Sequence, residues 1–226
     1  METLVILIMI CLSLITIYLL DKFFENKGLI YAMIILNLIS FAMSFKIANT
    51  FNSNVNCSII AEIGLFGALY LYLIKYDEKD IFKIIKITLI SSIFFAFMML
   101  VLLYYIPSIT ETISINMELA IKNNIKILGI YPIMIALSQY GVAKLVAMLK
   151  KIKTNYYLIM ILSYIITSTI YTVISYLLCY IKVLSIKESI FLGVSTYILG
   201  LIITTIESLF IYLYLTKKVK KWLILY

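Results

Sequence analysis

Seven apolar runs, each about as long as a lipid bilayer is thick, occupy most of this 226-residue chain. A helix rises about 1.5 Å per residue and the hydrocarbon core of a membrane is about 30 Å thick, so roughly 20 apolar residues cross it. This pattern predicts an all-α integral membrane protein with seven transmembrane helices. The runs cover residues 4–20, 29–48, 58–74, 84–106, 127–149, 156–181 and 190–215.

The composition of the chain fits a lipid environment. Hydrophobic residues make up 64% of the chain and charged residues 13%, and the mean hydropathy is +1.11. Soluble domains are close to half apolar and about a quarter charged. The segments between the runs are too short for a soluble domain. We therefore expect one polytopic membrane domain over residues 1–226.

The first run is expected to be a retained helix that stands apart from the rest. It lacks the basic start and the small-residue cleavage site of a signal peptide, since Glu2 precedes it and Asp21 and Lys22 follow it. We assign residues 1–27 to an accessory helix and linker, and residues 28–226 to a six-helix core bundle. The run is almost wholly apolar apart from Cys11, Ser13 and Thr16.

The lysines alternate between loops, which predicts an orientation because cytoplasmic loops retain positive charge during insertion. On one side lie thirteen: Lys22, Lys27, Lys75, Lys79, Lys83, Lys86, Lys150, Lys151, Lys153, Lys217, Lys218, Lys220 and Lys221. The other side has five: Lys46, Lys122, Lys126, Lys182 and Lys187. We therefore expect a multi-pass plasma-membrane protein with its N-terminus outside and its C-terminus in the cytoplasm.

The same distribution bears on binding partners. A net charge of +8 is compatible with nucleic acid, but the lysines lie at the ends of the runs and do not gather on one face. Anionic lipid headgroups are therefore the expected partner of the cytoplasmic lysines, and nucleic acid is not. The sequence leaves the oligomeric state open.

The absence of histidine from the sequence excludes imidazole metal ligands and Ser-His or Cys-His catalysis. The cysteines, Cys11, Cys57 and Cys179, have no paired spacing, so neither a disulfide framework nor a zinc site is indicated. The chain also lacks a Gly-x-Ser-x-Gly motif, and its apolar runs lack a clustered pair of carboxylates. We expect no enzyme activity, no catalytic residues, no metal and no cofactor.

Six of the runs carry a stripe of small or polar residues at alternating steps of three and four, which is one face of a helix. Helices in lipid associate through close backbone approach and interhelical hydrogen bonds, so the stripes are expected to face one another. They either line a polar central cavity or are packing seams only. The clearest stripes are Asn37, Ser40 and Ser44; Gly64 and Gly67; Pro132, Ala136, Gln139 and Ala143; Tyr164, Ser168, Tyr171, Ser175 and Cys179; and Gly193, Tyr197, Gly200, Thr204 and Glu207. The longest loop, residues 107–124, is expected to hold a short interfacial helix.

Three ionisable residues fall inside the runs, where a charge is expensive and therefore suggests a function. Lys144 is close enough to the cytoplasmic end for its long side chain to reach the interface. Glu62 lies about one turn inside the outer end of its helix, where an interfacial and a buried position are both open. Glu207 is on the order of 12 Å from the lysines at the end of its helix, so it is expected to point into the bundle.

Residues of the last run resemble the vitamin uptake transporter family, whose characterised members are queuosine precursor transporters. Thr196-Tyr197 and the later Glu207-Ser208-Leu209-Phe210-Ile211-Tyr212-Leu213 are similar to that family's Thr-Tyr and Asp-Thr-Pro-Phe-Ile-Tyr-Leu ending. Ser138-Gln139 before a lysine-rich exit looks like its Ser-Gln-Leu-x-Asp helix. The order of helices fits over essentially the whole chain. Most of the family's acidic positions are missing, since Val142 and Tyr171 stand where the family has aspartate.

The resemblance implies uptake of a small heterocycle, a deazaguanine base, by alternating access. A carboxylate accepts two parallel hydrogen bonds from adjacent N–H donors of such a base, and tyrosine rings stack on its plane. The candidate substrate-binding residues are Glu207, Gln139, Tyr171, Ser168, Tyr197, Thr204 and Asn37. Two alternatives remain: a substrate-binding subunit that needs a separate energising partner, and a diverged membrane protein that does not transport.

Overall fold

The computed structural model describes residues 2–50, 53–76, 80–102, 122, 125–152, 155–180 and 184–223. They are almost entirely helical, as the apolar runs predict. The elements are α1 (Glu2–Met43), β1 (Ile47–Thr50), β2 (Ser53–Asn56), α2 (Ser58–Lys75), α3 (Ile81–Leu102), α4 (Ile125–Lys151), α5 (Tyr156–Tyr180) and α6 (Ile186–Leu223). Within the described residues five helices are long and apolar enough to cross a membrane, and α5, which bends by 43°, makes a sixth if its halves form one span. The chain is an all-α membrane-embedded protein.

Helix α1 folds back on itself at Glu25, which has a φ of 51° and a ψ of −126° inside an otherwise helical segment. Eight residues of straight helix separate two positions by about 12 Å, yet a Cβ atom on Gly28 would lie 1.9 Å from the carbonyl oxygen of Leu20. Ser13 and Leu36, on opposite sides of Glu25, both contact Gly64. We call residues 2–24 the first arm and residues 26–43 the second arm of this helical hairpin.

This reversal corrects the predicted linker. The charged stretch from Asp21 to Lys27 was expected to separate two helices, but Glu25 alone departs from helical geometry within it. A single non-helical residue is enough to reverse the chain because Gly28 has no side chain. The start of the second arm therefore packs directly on the backbone of the first arm. The first arm also packs into the bundle: it supplies Ser13 and Asp21 to contacts with other helices.

Helix α2 is the centre of the bundle. In its apolar span 89% of the residues are buried, whereas the share is 22–44% in the four other full-length spans. It packs against α1, α4 and α6. Around it α1 packs against α3, α3 against α4, α4 against α5, and α5 against α6. Its observed bounds, Ser58–Lys75, differ by one residue from the predicted run.

The second apolar run ends differently from the prediction. The expected span of residues 29–48 stops as a helix at Met43, and Ile47–Thr50 pairs with Ser53–Asn56 as an antiparallel hairpin in which Ile47 faces Asn56. Polar asparagines follow the run and favour a turn over a continued helix. The hairpin packs on α6, where the backbone N–H of Asn56 donates to Thr196 Oγ1 at 3.0 Å. The interfacial helix predicted within residues 107–124 lies outside the described residues, apart from Lys122.

The small and polar stripes face the interior, as predicted. The stripe residues listed above are buried in every helix, except that Tyr197 is half-buried. Lys144 is exposed on the outside of α4, and its Nζ lies 5.6 Å from the centre of the Tyr140 ring. Its charge is therefore not part of the bundle interior.

The tight reversal at Glu25 generates a prediction. In Gly28→Ala the new methyl group would meet the backbone oxygen of Leu20, which cannot move without shifting an arm, and overpacking of this kind costs about 1–3 kcal/mol. We expect a lower thermal unfolding temperature for the detergent-purified variant. Gly129→Ala is the matched control, because nothing lies within 4 Å of a Cβ there. Equal unfolding temperatures for the two variants would contradict the hairpin geometry.

Candidate functional site

The buried polar side chains of the bundle gather in several clusters on different faces of α2 and its neighbours. The richest of these surrounds Glu62, which is 3% exposed. Ser58 Oγ and the Tyr131 hydroxyl each donate to Glu62 Oε1 at 2.8 Å. Tyr131 is also hydrogen-bonded to Ser40. We call Ser40, Ser58, Glu62 and Tyr131 the Glu62 cluster; its members come from the second arm, α2 and α4.

Local helix geometry brings this cluster together. Ser58 is the first residue of α2 and Glu62 lies one turn later, so the two side chains are on the same face of the helix. Ser40 also contacts the backbone of this turn, since its Oγ lies 3.2 Å from the carbonyl oxygen of Ser58. In lipid each of these groups needs a protein partner, because the surroundings supply none. The cluster thus joins three transmembrane segments.

Asn56 fixes the start of α2 beside the cluster. Its side-chain oxygen accepts from the backbone N–H of Ser58 at 2.8 Å, which satisfies one of the donors that a helix start leaves without an internal partner. Its amide nitrogen lies 3.0 Å from the carbonyl oxygen of Ser44 and 2.5 Å from the Tyr180 hydroxyl. The β-hairpin, the end of the second arm and α5 therefore converge on the N-terminal end of α2.

A small enclosed cavity lies between these groups. Its volume is about 10 Å³, so the cavity has room for about one water. Ser58, Glu62 and Tyr131 form part of its wall together with Asn56, and α5 contributes Tyr171, Ser175, Tyr176 and Cys179. The cavity is lined by tyrosine side chains and a few polar groups, and it is too small in this conformation for a heterocyclic base.

Two of the predicted substrate-binding residues, Asn37 and Gln139, meet at Thr88 of α3. Asn37 Nδ2 donates to the Thr88 carbonyl at 3.0 Å and to Ser92 Oγ at 2.5 Å, and Thr88 Oγ1 donates to Gln139 Oε1 at 2.8 Å. Asn37 Oδ1 and Gln139 Nε2 are buried and have no hydrogen-bond partner among the described residues. These two residues therefore form a separate cluster from Glu62.

Three further predicted residues lie between α5 and α6. Thr204 lines a second cavity of about 10 Å³ together with Tyr164, and neither hydroxyl has a partner in the described part of the chain. The Tyr197 ring stacks on Tyr164 with centroids 6.1 Å apart, while its hydroxyl turns to Thr169 at 3.3 Å. Ser168 Oγ donates to the carbonyl of Tyr164 within its own helix at 2.5 Å.

Glu207 lies on yet another interface, between the first arm, α2 and α6, and is fully buried. Ser13 Oγ lies 2.8 Å from Glu207 Oε1. Glu207 Oε2 has no hydrogen-bond partner among the described residues and lies 3.1 Å from where a Cβ of Gly67 would be. The side chain points into the bundle, as the sequence predicts, but against packed backbone.

The predicted site residues are therefore buried, apart from the half-buried Tyr197, but they do not gather around one cavity. Tyr171 borders the Glu62 cavity, Asn37 and Gln139 meet at Thr88, and Glu207 is separate. Sequence reasoning noted Glu62 without choosing between an interfacial and a buried position, and it missed Tyr131 and Asn56. The available signal was the pairing of Ser58 with Glu62 at a spacing of four, which places a donor beside a carboxylate on one helical face.

Comparisons with known proteins add no assignment. No protein-family model matches the chain, and neither a curated protein nor a solved structure is significantly similar to it. The resemblance to vitamin uptake transporters therefore depends on the motifs quoted above. The structure itself carries the functional argument.

The hydroxyl of Tyr131 generates a prediction for the Glu62 cluster. Tyr131→Phe leaves Glu62 and Ser40 each without one partner, and an unsatisfied buried polar group costs about 1–3 kcal/mol. We expect a lower thermal unfolding temperature in detergent. Tyr140→Phe on the same helix is the control, because Tyr140 is 42% exposed and should tolerate the change. If both variants unfold at the wild-type temperature, the Glu62 cluster does not support the bundle.

Proposed function

We propose that this chain is a plasma-membrane transporter that moves a small heterocyclic solute by alternating access, with Glu62 at the substrate site. The observation that supports the proposal is one buried carboxylate that accepts from hydroxyl groups of α2 and α4, beside a tyrosine-lined cavity. The hydroxyl of α4 is in turn hydrogen-bonded to Ser40 of the second arm. A charged residue at such a position is expensive, which makes a functional role the expected reason for it. Glu62 is a better candidate than Glu207 because the latter is packed against Gly67.

The proposal includes seven membrane crossings. Helix α1 has 42 residues, about 63 Å or roughly twice the thickness of the hydrocarbon core, and its reversal at Glu25 divides it into two arms of spanning length. Counting α5 as one bent span, the chain crosses seven times. The lysine distribution places the Glu25 reversal in the cytoplasm and the β-hairpin outside. The cytoplasmic lysines then lie among anionic lipid headgroups.

The chemistry of the site favours a flat solute with adjacent N–H donors. Both hydroxyl bonds to Glu62 end on Oε1, and a substrate can exchange its own donors for those of Ser58 and Tyr131. Tyr171 and Tyr176 offer ring faces for stacking. Because the present cavity holds about one water, the substrate enters only when α2, α4 and α5 separate. A deazaguanine base, implied by the family resemblance, is the first solute to test.

One observation favours a second function. Each of the two small cavities has a volume of only about 10 Å³, which is the packing expected of a membrane protein that does not transport. In that case the polar stripes hold helices together or bind another membrane protein. Transport assays on the purified chain separate the two functions.

Replacement of Glu62 tests the substrate site. Purified protein in liposomes should take up radiolabelled deazaguanine base without any other protein, and Glu62→Gln should lower the affinity roughly 10- to 100-fold, because a hydrogen bond to a charged group contributes about 1.5–3 kcal/mol. Glu188→Gln is the control, since Glu188 is an exposed helix-start residue. Uptake with unchanged affinity in Glu62→Gln would remove the proposed site. Uptake that requires an added energising protein would instead make the chain a binding subunit.

The orientation has its own test. Single cysteines are placed at Ile152, 72% exposed between α4 and α5, and at Ile186, 60% exposed at the start of α6, after replacement of the native cysteines. On intact cells a membrane-impermeant maleimide should label position 186 and not position 152. Labelling with the opposite pattern would invert the proposed topology.

A further inference from the structure

A second ionisable site in the bundle has a geometry that suits neither a heterocycle nor a metal ion. Glu207 Oε2 lies against Gly67, where even a Cβ atom would come within 3.1 Å of it and within 3.2 Å of Ile211. No described cavity opens onto this carboxyl group. Among the residues that the structure describes, Oε1 is the one of its two oxygens that has a hydrogen-bond partner. Any species bound here must be very small.

The partner of Glu207 indicates which species fits. Ser13 has one hydroxyl hydrogen but two acceptors within reach, the carbonyl of Ile10 at 2.9 Å and Glu207 Oε1 at 2.8 Å. If Glu207 is ionised, one of these contacts lacks a hydrogen. If Oε1 carries a proton, it donates to Ser13 Oγ and Ser13 donates to Ile10, so both contacts are satisfied. The neutral acid also avoids a charge with one bare oxygen in an apolar interior.

Several other titratable groups lie on the helices around this interface. Cys11 and Tyr18 of the first arm line a cavity together with Ile211 of α6. On α2, Tyr70 donates to the carbonyl of Tyr156 and the Tyr72 ring packs on Tyr76.

The charged pair and its tyrosine partner are further away: Asp21, Lys75 and Tyr214 lie seven or eight residues from Ser13, Gly67 and Glu207, or about 10–12 Å. Glu62 on α2 points to its own cluster. On α5 the residue nearest Gly67 is Met160, and the Tyr164 hydroxyl lies against Gly200, seven residues before Glu207.

Asp21, Lys75 and Tyr214 form a closure on the cytoplasmic side of Glu207. Lys75 and Tyr214 both bind Asp21 Oδ2, and the Asp21 side chain is inaccessible to solvent while that of Lys75 is 11% exposed. The same three helical segments therefore meet twice: once at Ser13, Gly67 and Glu207, and again at this closure. When the first arm separates from α2 and α6, the closure opens and Glu207 gains access to cytoplasmic water.

We propose that Glu207 is a proton-binding site, distinct from the substrate site at Glu62, and that its proton leaves to the cytoplasm when the first arm separates from α2 and α6. The O–H bond of the carboxylic acid breaks, the proton goes to water, and a carboxylate remains until the interface closes on a new proton. The coupling of this proton to solute movement rests on the proposed transport function. The proton site itself does not.

Infrared spectroscopy tests the proton directly. The C=O stretching band of a protonated carboxylic acid, shifted by H–D exchange, should appear in the wild-type protein at neutral pH and lose intensity in Glu207→Gln. Glu207→Asp should retain a band at a shifted frequency, and the exposed Glu188→Gln variant should leave the spectrum unchanged. An unchanged band in Glu207→Gln, measured on folded protein, overturns the proton site regardless of any transport result.

Transport assays in liposomes then test the coupling. With an inward proton gradient the wild type should accumulate radiolabelled deazaguanine base, and Glu207→Gln, which resembles the protonated acid permanently, should lose accumulation while it still exchanges internal for external base. Accumulation that persists in Glu207→Gln, or that requires sodium instead of a proton gradient, overturns the coupling. A wild type that neither exchanges nor accumulates the base contradicts the proposed function, while the infrared result still decides the proton site.

Discussion

Helix α2 organises the bundle because lipid cannot satisfy polar groups. In its apolar span 89% of the residues are buried, so every hydrogen-bonding side chain on it must find a protein partner. Ser58 is hydrogen-bonded to Ser40 of the second arm, and Glu62 to Tyr131 of α4. Lys75 binds Asp21 of the first arm and Tyr214 of α6. Gly67 allows α6 to approach closely enough for Glu207 to touch its backbone. The positions of the surrounding helices follow from these contacts, since apolar packing alone gives little preference among helix pairs in lipid.

Most of the helical architecture could be predicted from the sequence, because apolar length and the small-residue stripes report directly on spanning and burial. The bounds of α2 and α5 follow the predicted runs within one residue among those described. The helical hairpin was harder: the charged segment 21–27 indicates a break, but whether one residue or seven leave the helix depends on the contact of Gly28 with Leu20. The β-hairpin at Ile47–Asn56 was missed because Ile47 and Ala48 extend the apolar run, and hydropathy does not distinguish a strand from a helix end.

The candidate site was less predictable for a related reason. A stripe tells which face of a helix is buried, and that part of the prediction is confirmed for Asn37, Gln139, Thr204 and Glu207. A stripe does not tell which other stripe it contacts, because that depends on the order and rotation of the helices. The structure distributes these residues over separate interfaces. It also joins Glu62 to Tyr131, which is 69 positions away in the sequence. The bundle therefore holds two buried acidic residues with different surroundings. Glu62 accepts hydrogen bonds from two hydroxyl groups beside a cavity, whereas Glu207 packs against the backbone at Gly67.

The contact of Asp21 with Lys75 and Tyr214 ties the beginning of the chain to its end, and this has a consequence for biogenesis. During synthesis the first hairpin enters the membrane long before α6 leaves the ribosome. Until then Asp21 and Lys75 lack the Tyr214 hydroxyl, and Ser13 lacks Glu207. In a nascent or truncated chain these polar groups therefore lack partners that lipid cannot replace. The last helix supplies the missing partners once it is inserted.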